Sequence, residues 1–120
     1  MAFVLTDHQR APNQQRIRDE FRDEVIDHVR RKAVFVPEIP DDVFRKIALF
    51  HYERVDAFLR NYDTASYESY VRLMLVYIMR GTEQVEGPHM QPTLRNEHFG
   101  INTRVQMAYD LCKRFMQEGF

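Results

Sequence analysis

Carboxylates and imidazoles at helical spacing are the first residues whose types could do chemistry. Glu20, Glu24 and His28 repeat every four residues, which puts them on one face of a helix. Such a face can hold a divalent metal if other helices add ligands, and His51, Glu53, Glu97 and His98 are the candidates. A carboxylate-bridged metal pair in a helical bundle draws on Glu-x-x-His pairs from two helices plus two further carboxylates. No such pair falls on an expected helix here, and neither His-Glu-x-x-His nor a cysteine–histidine ligand set is present. A metal-dependent helical-bundle enzyme is therefore the third of three functional readings. His28 and His51 are more simply boundary residues of a core.

Nucleophilic chemistry has less to work with. Cys112 falls on the apolar face of an expected helix, where a cysteine is inert. Ser66 and Ser69 open a helix, where capping accounts for them. Nucleophile-elbow, phosphate-loop and dinucleotide patterns are absent. The sequence thus assigns no catalytic residue, no cofactor and no metal ligand, and the expectation is a protein that is not an enzyme.

The second reading is a DNA-binding regulator. Residues 94–113 have the outline of a helix-turn-helix: a short helix, Gly100, a polar cap and an amphipathic helix. Thr103, Arg104, Gln106 and Lys113 would face the duplex, with Arg95 and Arg114 nearby for phosphates. The glycine sits one residue too far upstream for the usual register, and Asp110 opposes the footprint.

The preferred reading is a non-enzymatic protein-interaction module: an adaptor, inhibitor or assembly subunit. Tyr62, Tyr67 and Tyr70 cluster where the third helix begins, and Arg60 and Arg72 flank them. Tyrosine and arginine are enriched at binding hot spots. The stretch from Gly81 to Pro92 is a second candidate surface. The expected partner is another protein, with self-association as one form of it; nucleic acid belongs only to the second reading.

These residues need elements to position them. A first helix is expected over Asn13–Lys32, with Ile17, Phe21, Val25, His28 and Val29 on its buried face. Ala33-Val34-Phe35-Val36, closed by Pro37, could pair with Phe3-Val4-Leu5 as a minor two-stranded patch. Asp41 or Asp42 should cap a second helix running to about Asn61 with a wide apolar stripe: Val43, Phe44, Ile47, Ala48, Phe50, His51, Val55, Phe58 and Leu59. The third helix, from Thr64 or Ser66 to Arg80 with Gly81 as its stop, has almost no polar face, so it is either central or covered by a second chain. Gly81–Pro92 reads as irregular and Thr93–Phe99 as a short helix. The last helix is expected after a break at Gly100-Ile101, capped by Asn102 or Thr103, with Val105, Ala108, Leu111, Cys112 and Phe115 inward.

Composition agrees with this outline. The 120 residues suit one domain, spanning 1–120, and bury enough surface to fold without metal or disulfide. A net charge of −1 predicts no global attraction for nucleic acid. Fourteen arginines outnumber three lysines, and nine Phe and six Tyr stand beside no Trp. One cysteine excludes a disulfide within the chain and suits a reducing compartment. No apolar run reaches the length of a membrane span and the N-terminus does not read as a signal peptide, so the expected location is cytoplasmic. The apolar ends, Phe3-Val4-Leu5 and Phe115-Met116 with Phe120, are expected to pack on the core or a partner. The expected fold is all-α: a compact bundle of four main helices and one short one.

Overall fold

The computed structural model describes the backbone of residues 7–33 and 38–117, and the side chains of 14–33 and 38–114. The fold is all-α. Six helices lie among the described residues: α1 (Asp7–Lys32), α2 (Asp41–Leu59), α3 (Tyr67–Arg80), α4 (Thr82–Val85), α5 (Gln91–Leu94) and α6 (Ile101–Gln117). There is no strand among them; the segments 3–5 and 34–36, where a two-stranded patch was expected, lie outside the described residues.

Everything is built on α3. Ser66 is its N-cap, with extended backbone and a hydroxyl that accepts from the Ser69 amide at 3.1 Å. Gly81 ends it at φ 84°, and its amide donates to the Tyr77 carbonyl at 2.7 Å. An added Cβ would meet nothing within 4 Å there, so the glycine is needed for its backbone conformation alone. Ser69 to Tyr77 is buried throughout apart from the half-buried Arg72. α6, α2 and α1 pack around it. The missing polar face of α3 is thus explained within one chain, and no second chain is needed to cover it.

The expectations about the outer helices are corrected in several places. α1 starts at Asp7, not Asn13, and its buried face begins only at Phe21. Ile17, expected in the core, is 59% exposed, whereas Val25, Ile26 and Val29 are buried. Length is the reason: at about 1.5 Å per residue α1 overruns the shorter α2 and α3, and its side chains from Gln14 to Arg18 are exposed. The radius of gyration, 16.3 Å, exceeds the roughly 14 Å typical of a compact chain this long.

α2 is not capped by an aspartate. Pro40 occupies the cap position with no side-chain cap bond, and Asp41 and Asp42 fill the first turn, where they favour the helix dipole. Asp41 also pairs with Arg30 at 3.2 Å. The helix closes at Leu59, and Asn61 donates back to the Ala57 and Phe58 carbonyls. Its wide stripe splits in two. Phe44, Ala48, Tyr52, Val55 and Leu59 are buried, while Val43, Ile47 and Phe50 are exposed.

The Gly81–Pro92 stretch is structured rather than irregular. It holds α4, a turn and the start of α5, fixed by the buried Val85 and Met90 and by Gln91 Nε2 donating to the Val85 carbonyl at 2.8 Å. An added Cβ on Gly87 would lie 2.6 Å from the Glu83 carbonyl oxygen, so the turn requires a glycine. The short helix expected over Thr93–Phe99 is instead Gln91–Leu94, followed by turns. Ile101 is the first residue of α6 and buried, not a break. Asn102 caps a neighbour rather than its own helix: its Oδ1 accepts from the Ser66 amide at 3.0 Å, and its Nδ2 donates to the Thr64 carbonyl at 2.9 Å. Val105, Ala108 and Cys112 are buried as expected and Leu111 is half-buried; the side chain of Phe115 lies outside the described residues. No helix among the described residues is long and apolar enough to cross a membrane.

Candidate functional site

Two grooves flank the C-terminal half of α2. The first, about 540 Å³, lies between α1, α2 and α3. Phe21 meets the Tyr70 ring edge-on at 5.0 Å and the Tyr67 ring at 5.9 Å, and Tyr52 lies 6.0 Å from Tyr70. The Tyr70 hydroxyl donates to Asp56 Oδ1 at 3.0 Å. Burial, then the Asp56 carboxylate, pushes the Tyr70 phenol up; burial pushes Tyr52 up to about 12. Both phenols are therefore neutral donors at neutral pH.

Charges of both signs ring this aromatic floor: Arg18, Asp19, Arg22, Glu53, Asp56 and Arg60. Arg60 approaches Asp56 at 4.0 Å, and Arg22 approaches Asp19 at 3.4 Å. Below the rim, Arg45 of α2 donates to Asp23 of α1 at 2.7 Å and holds that carboxyl below the usual range. Exposed Ile17 also lines the groove.

Of the five residues expected to bind a partner, Arg60 and Tyr70 line this groove. Tyr67 stands behind it, its hydroxyl donating to the Glu24 carbonyl at 3.3 Å and lying 3.0 Å from His28 Nδ1. Arg72 is half-buried and outside the lining. Tyr62 faces the opposite way. The groove's main contributors, Phe21, Tyr52 and Asp56, were not singled out. Tyr52, Asp56 and Arg60 follow one another at four-residue steps on α2, and that spacing was the available signal.

Tyr62 belongs to the second groove, about 390 Å³, with Arg54, Phe58, Tyr77, Glu86 and Arg95. Arg54 donates to both Glu86 oxygens at 2.9 and 3.2 Å, and the Tyr77 hydroxyl donates to Oε2 at 2.7 Å. The Glu86 carboxylate is thus held on two sides. Beside it, His51 packs its ring 5.7 Å from Tyr77, and burial, then Arg54, lowers its pKa. His51 Nδ1 is buried with no hydrogen-bond partner among the described residues.

No family model matches this chain, and no curated protein or solved structure does. Its function has to be read from the geometry.

The residues of the helix-turn-helix reading are scattered. Arg104 is 7% exposed; it donates Nε to the Phe99 carbonyl at 2.7 Å and Nη1 to the Tyr62 hydroxyl at 3.3 Å. Arg95 lies over the Phe58 ring and donates to Gln91. Gln106 donates to Asp110, Lys113 lies over Tyr109, and Thr103 is exposed. α5, in the place of a first helix, has four residues.

The metal candidates do not converge either: no three His, Cys, Asp or Glu side chains group among the described residues. Glu86 and His89 do have the Glu-x-x-His spacing, but a Gly-Pro turn separates them and Glu86 is held by Arg54 and Tyr77. Cys112 is fully buried, and burial pushes its thiol up to about 11.

Proposed function

We propose that this chain is a non-enzymatic interaction module that holds a segment of another protein in the groove between α1, α2 and α3. One observation carries this reading: a groove whose floor is the half-buried Phe21 with the edges of the largely buried Tyr52 and Tyr70 runs beneath a rim of mixed Arg and Asp or Glu. Aromatic rings supply apolar contact at low entropic cost, and arginines supply directional charge at the edge. Two neutral phenols and an Asp56 already bonded to one of them suit recognition better than proton transfer. The exposed stretch of α1 from Gln14 to Arg18 gives the partner a ledge, with Ile17 as its apolar contact. A duplex-binding role draws less support, because Arg104 turns inward.

The reading is tested with a photo-crosslinking residue at position 17 or 60 in the native host. A single protein captured at both positions, but not at exposed Glu97 on the far side, supports it. Capture must fall with Arg60→Glu or Ile17→Asp. Equal capture from all three positions, or none from 17 and 60, refutes it.

A further inference from the structure

Ile17, Val43, Ile47, Phe50, Phe99 and Met107 are the exposed large hydrophobics among the described residues. Single exposed apolar residues are ordinary, but rows of them mark contact surfaces. Val43, Ile47 and Phe50 form such a row on α2, at steps of four and three residues, and are 42%, 38% and 54% exposed. The other side of α2 is fastened to α3 and α1 through Phe44, Ala48, Tyr52, Val55 and Leu59. At 3.6 residues per turn the exposed row lies roughly 140° around the helix from that buried stripe. It faces away from the body of the chain.

The charges beside the row identify its occupant. Lys46 and Glu53 lie on the same flank, seven residues apart. Both are exposed, and neither forms an ion pair among the described residues. Arg54 extends the row, its guanidinium 5.3 Å from the Phe50 ring centre. When two copies of such a helix meet antiparallel, like flanks face each other, and the two-fold axis applies every contact twice. Ile47 then packs on the second copy's Phe50, and Lys46 lies opposite the second copy's Glu53. A parallel pair brings the two lysines level and loses this match.

We infer that a second copy of this chain docks on α2, antiparallel, through Val43, Ile47 and Phe50, with Lys46 and Glu53 setting the orientation. The contact is confined to one face of a 19-residue helix, so it belongs with interfaces below about 1,200 Å² and forms a weak, reversible dimer. This face adjoins the proposed partner groove at Glu53, which also lines that groove, whereas Val43, Lys46, Ile47 and Phe50 lie outside it, so Ile47→Glu and Lys46→Glu test the dimer without touching the groove.

Sedimentation equilibrium over a wide concentration range tests it. Wild type self-associates in a monomer–dimer equilibrium, and Ile47→Glu abolishes this while its circular dichroism spectrum and melting temperature stay native. Lys46→Glu or Glu53→Lys alone weakens the dimer about tenfold, since each places like charges together at two symmetric sites. The double variant, K46E with E53K, restores it. Three results would overturn the inference: a wild type monomeric up to about 1 mM, the weakest dimer worth the name; a dimer indifferent to Ile47→Glu; or a double charge swap no tighter than the singles. A foreign protein seated on this row beside a monomeric pure chain would count as the first of these.

Discussion

Asn102 Oδ1 lies 2.6 Å from the Ser69 hydroxyl, which donates to it, so a side chain in the first turn of α6 finishes the first turn of α3. Ser69 is fully buried and the same oxygen accepts from the Ser66 amide, so removing it strands two donors. Asn102→Ala is expected to lower stability by about 2 kcal/mol, the range for buried hydrogen bonds left unmade. Denaturant unfolding of the variant measures this. A loss below about 0.5 kcal/mol, typical of surface changes, would mean that the joint is not structural.

Arg104 is expected to behave as a core residue. Its guanidinium lies 5.4 Å from the Tyr62 ring centre and satisfies the Phe99 carbonyl that closes the turn before α6. Arg104→Met keeps the aliphatic volume and loses both bonds, so unfolding free energy should drop by about 1–3 kcal/mol. Retention on a heparin or duplex column should be unchanged. Wild-type stability joined to a loss of duplex affinity would reverse the assignment and revive α6 as a DNA-reading helix.

The four long helices were legible because hydrophobic period and capping are local, whereas the four-residue α4 and α5 are too short to show a period. Ser66, Gly81 and the stripe of α6 marked their boundaries from the sequence alone. What was illegible is non-local. Asn102 reads as a cap in any single-helix analysis, and only the packing of α6 on α3 sends its amide to Ser66 and Ser69. Ile17 carries the right period for burial, but burial depends on whether a neighbouring helix reaches that far. Clustering in sequence also misled at Tyr62 and Tyr70: they lie on opposite sides of α2's C-terminal half because the turn between α2 and α3 separates them.

His51 gives the fold a pH dependence. Its pKa is lowered in the folded chain, so the unfolded chain binds the proton more readily. Stability from this group is complete above the unfolded value of 6.5 and is lost as pH falls from there toward the lowered folded value. The denaturant midpoint should therefore fall between pH 7.5 and 5.5 in wild type, and less in His51→Leu. Asp23, lowered by its bond to Arg45, acts in a separate window below the usual carboxylate value of 3.8. An identical pH slope in wild type and His51→Leu would remove His51 as the source.

Cys112 should be silent in the folded chain. The side chain is fully buried and its thiol is pushed up to about 11, so at pH 8 little thiolate exists and none is accessible. Labelling by a small disulfide reagent is expected to follow the unfolding rate, rising with denaturant. Cys112→Ser places a hydroxyl where no partner was needed and should cost about 1–3 kcal/mol. Immediate stoichiometric labelling of native protein would show that α6 opens locally.

Tyr70 separates folding from recognition in the α1–α2–α3 groove. Its ring is 8% exposed and is held by Phe21, Tyr52 and Asp56. Tyr70→Ala empties that space and should cost about 3–5 kcal/mol, as loss of a large buried aromatic does. Tyr70→Phe loses only the hydroxyl bond to Asp56, worth about 1 kcal/mol. Arg60 sits on the rim, 68% exposed on its side chain, with Asp56 4.0 Å away. Arg60→Glu should therefore leave the melting temperature within error, since weak surface pairs contribute little. The informative pair is thus Tyr70→Phe, which keeps the floor and removes one donor, and Arg60→Glu, which keeps the fold and reverses one rim charge. Crosslinking to a partner that falls in Arg60→Glu and survives in Tyr70→Phe places recognition at the charged rim. The opposite order places it at the phenol, and thermal melts of both variants show that the change is not one of folding.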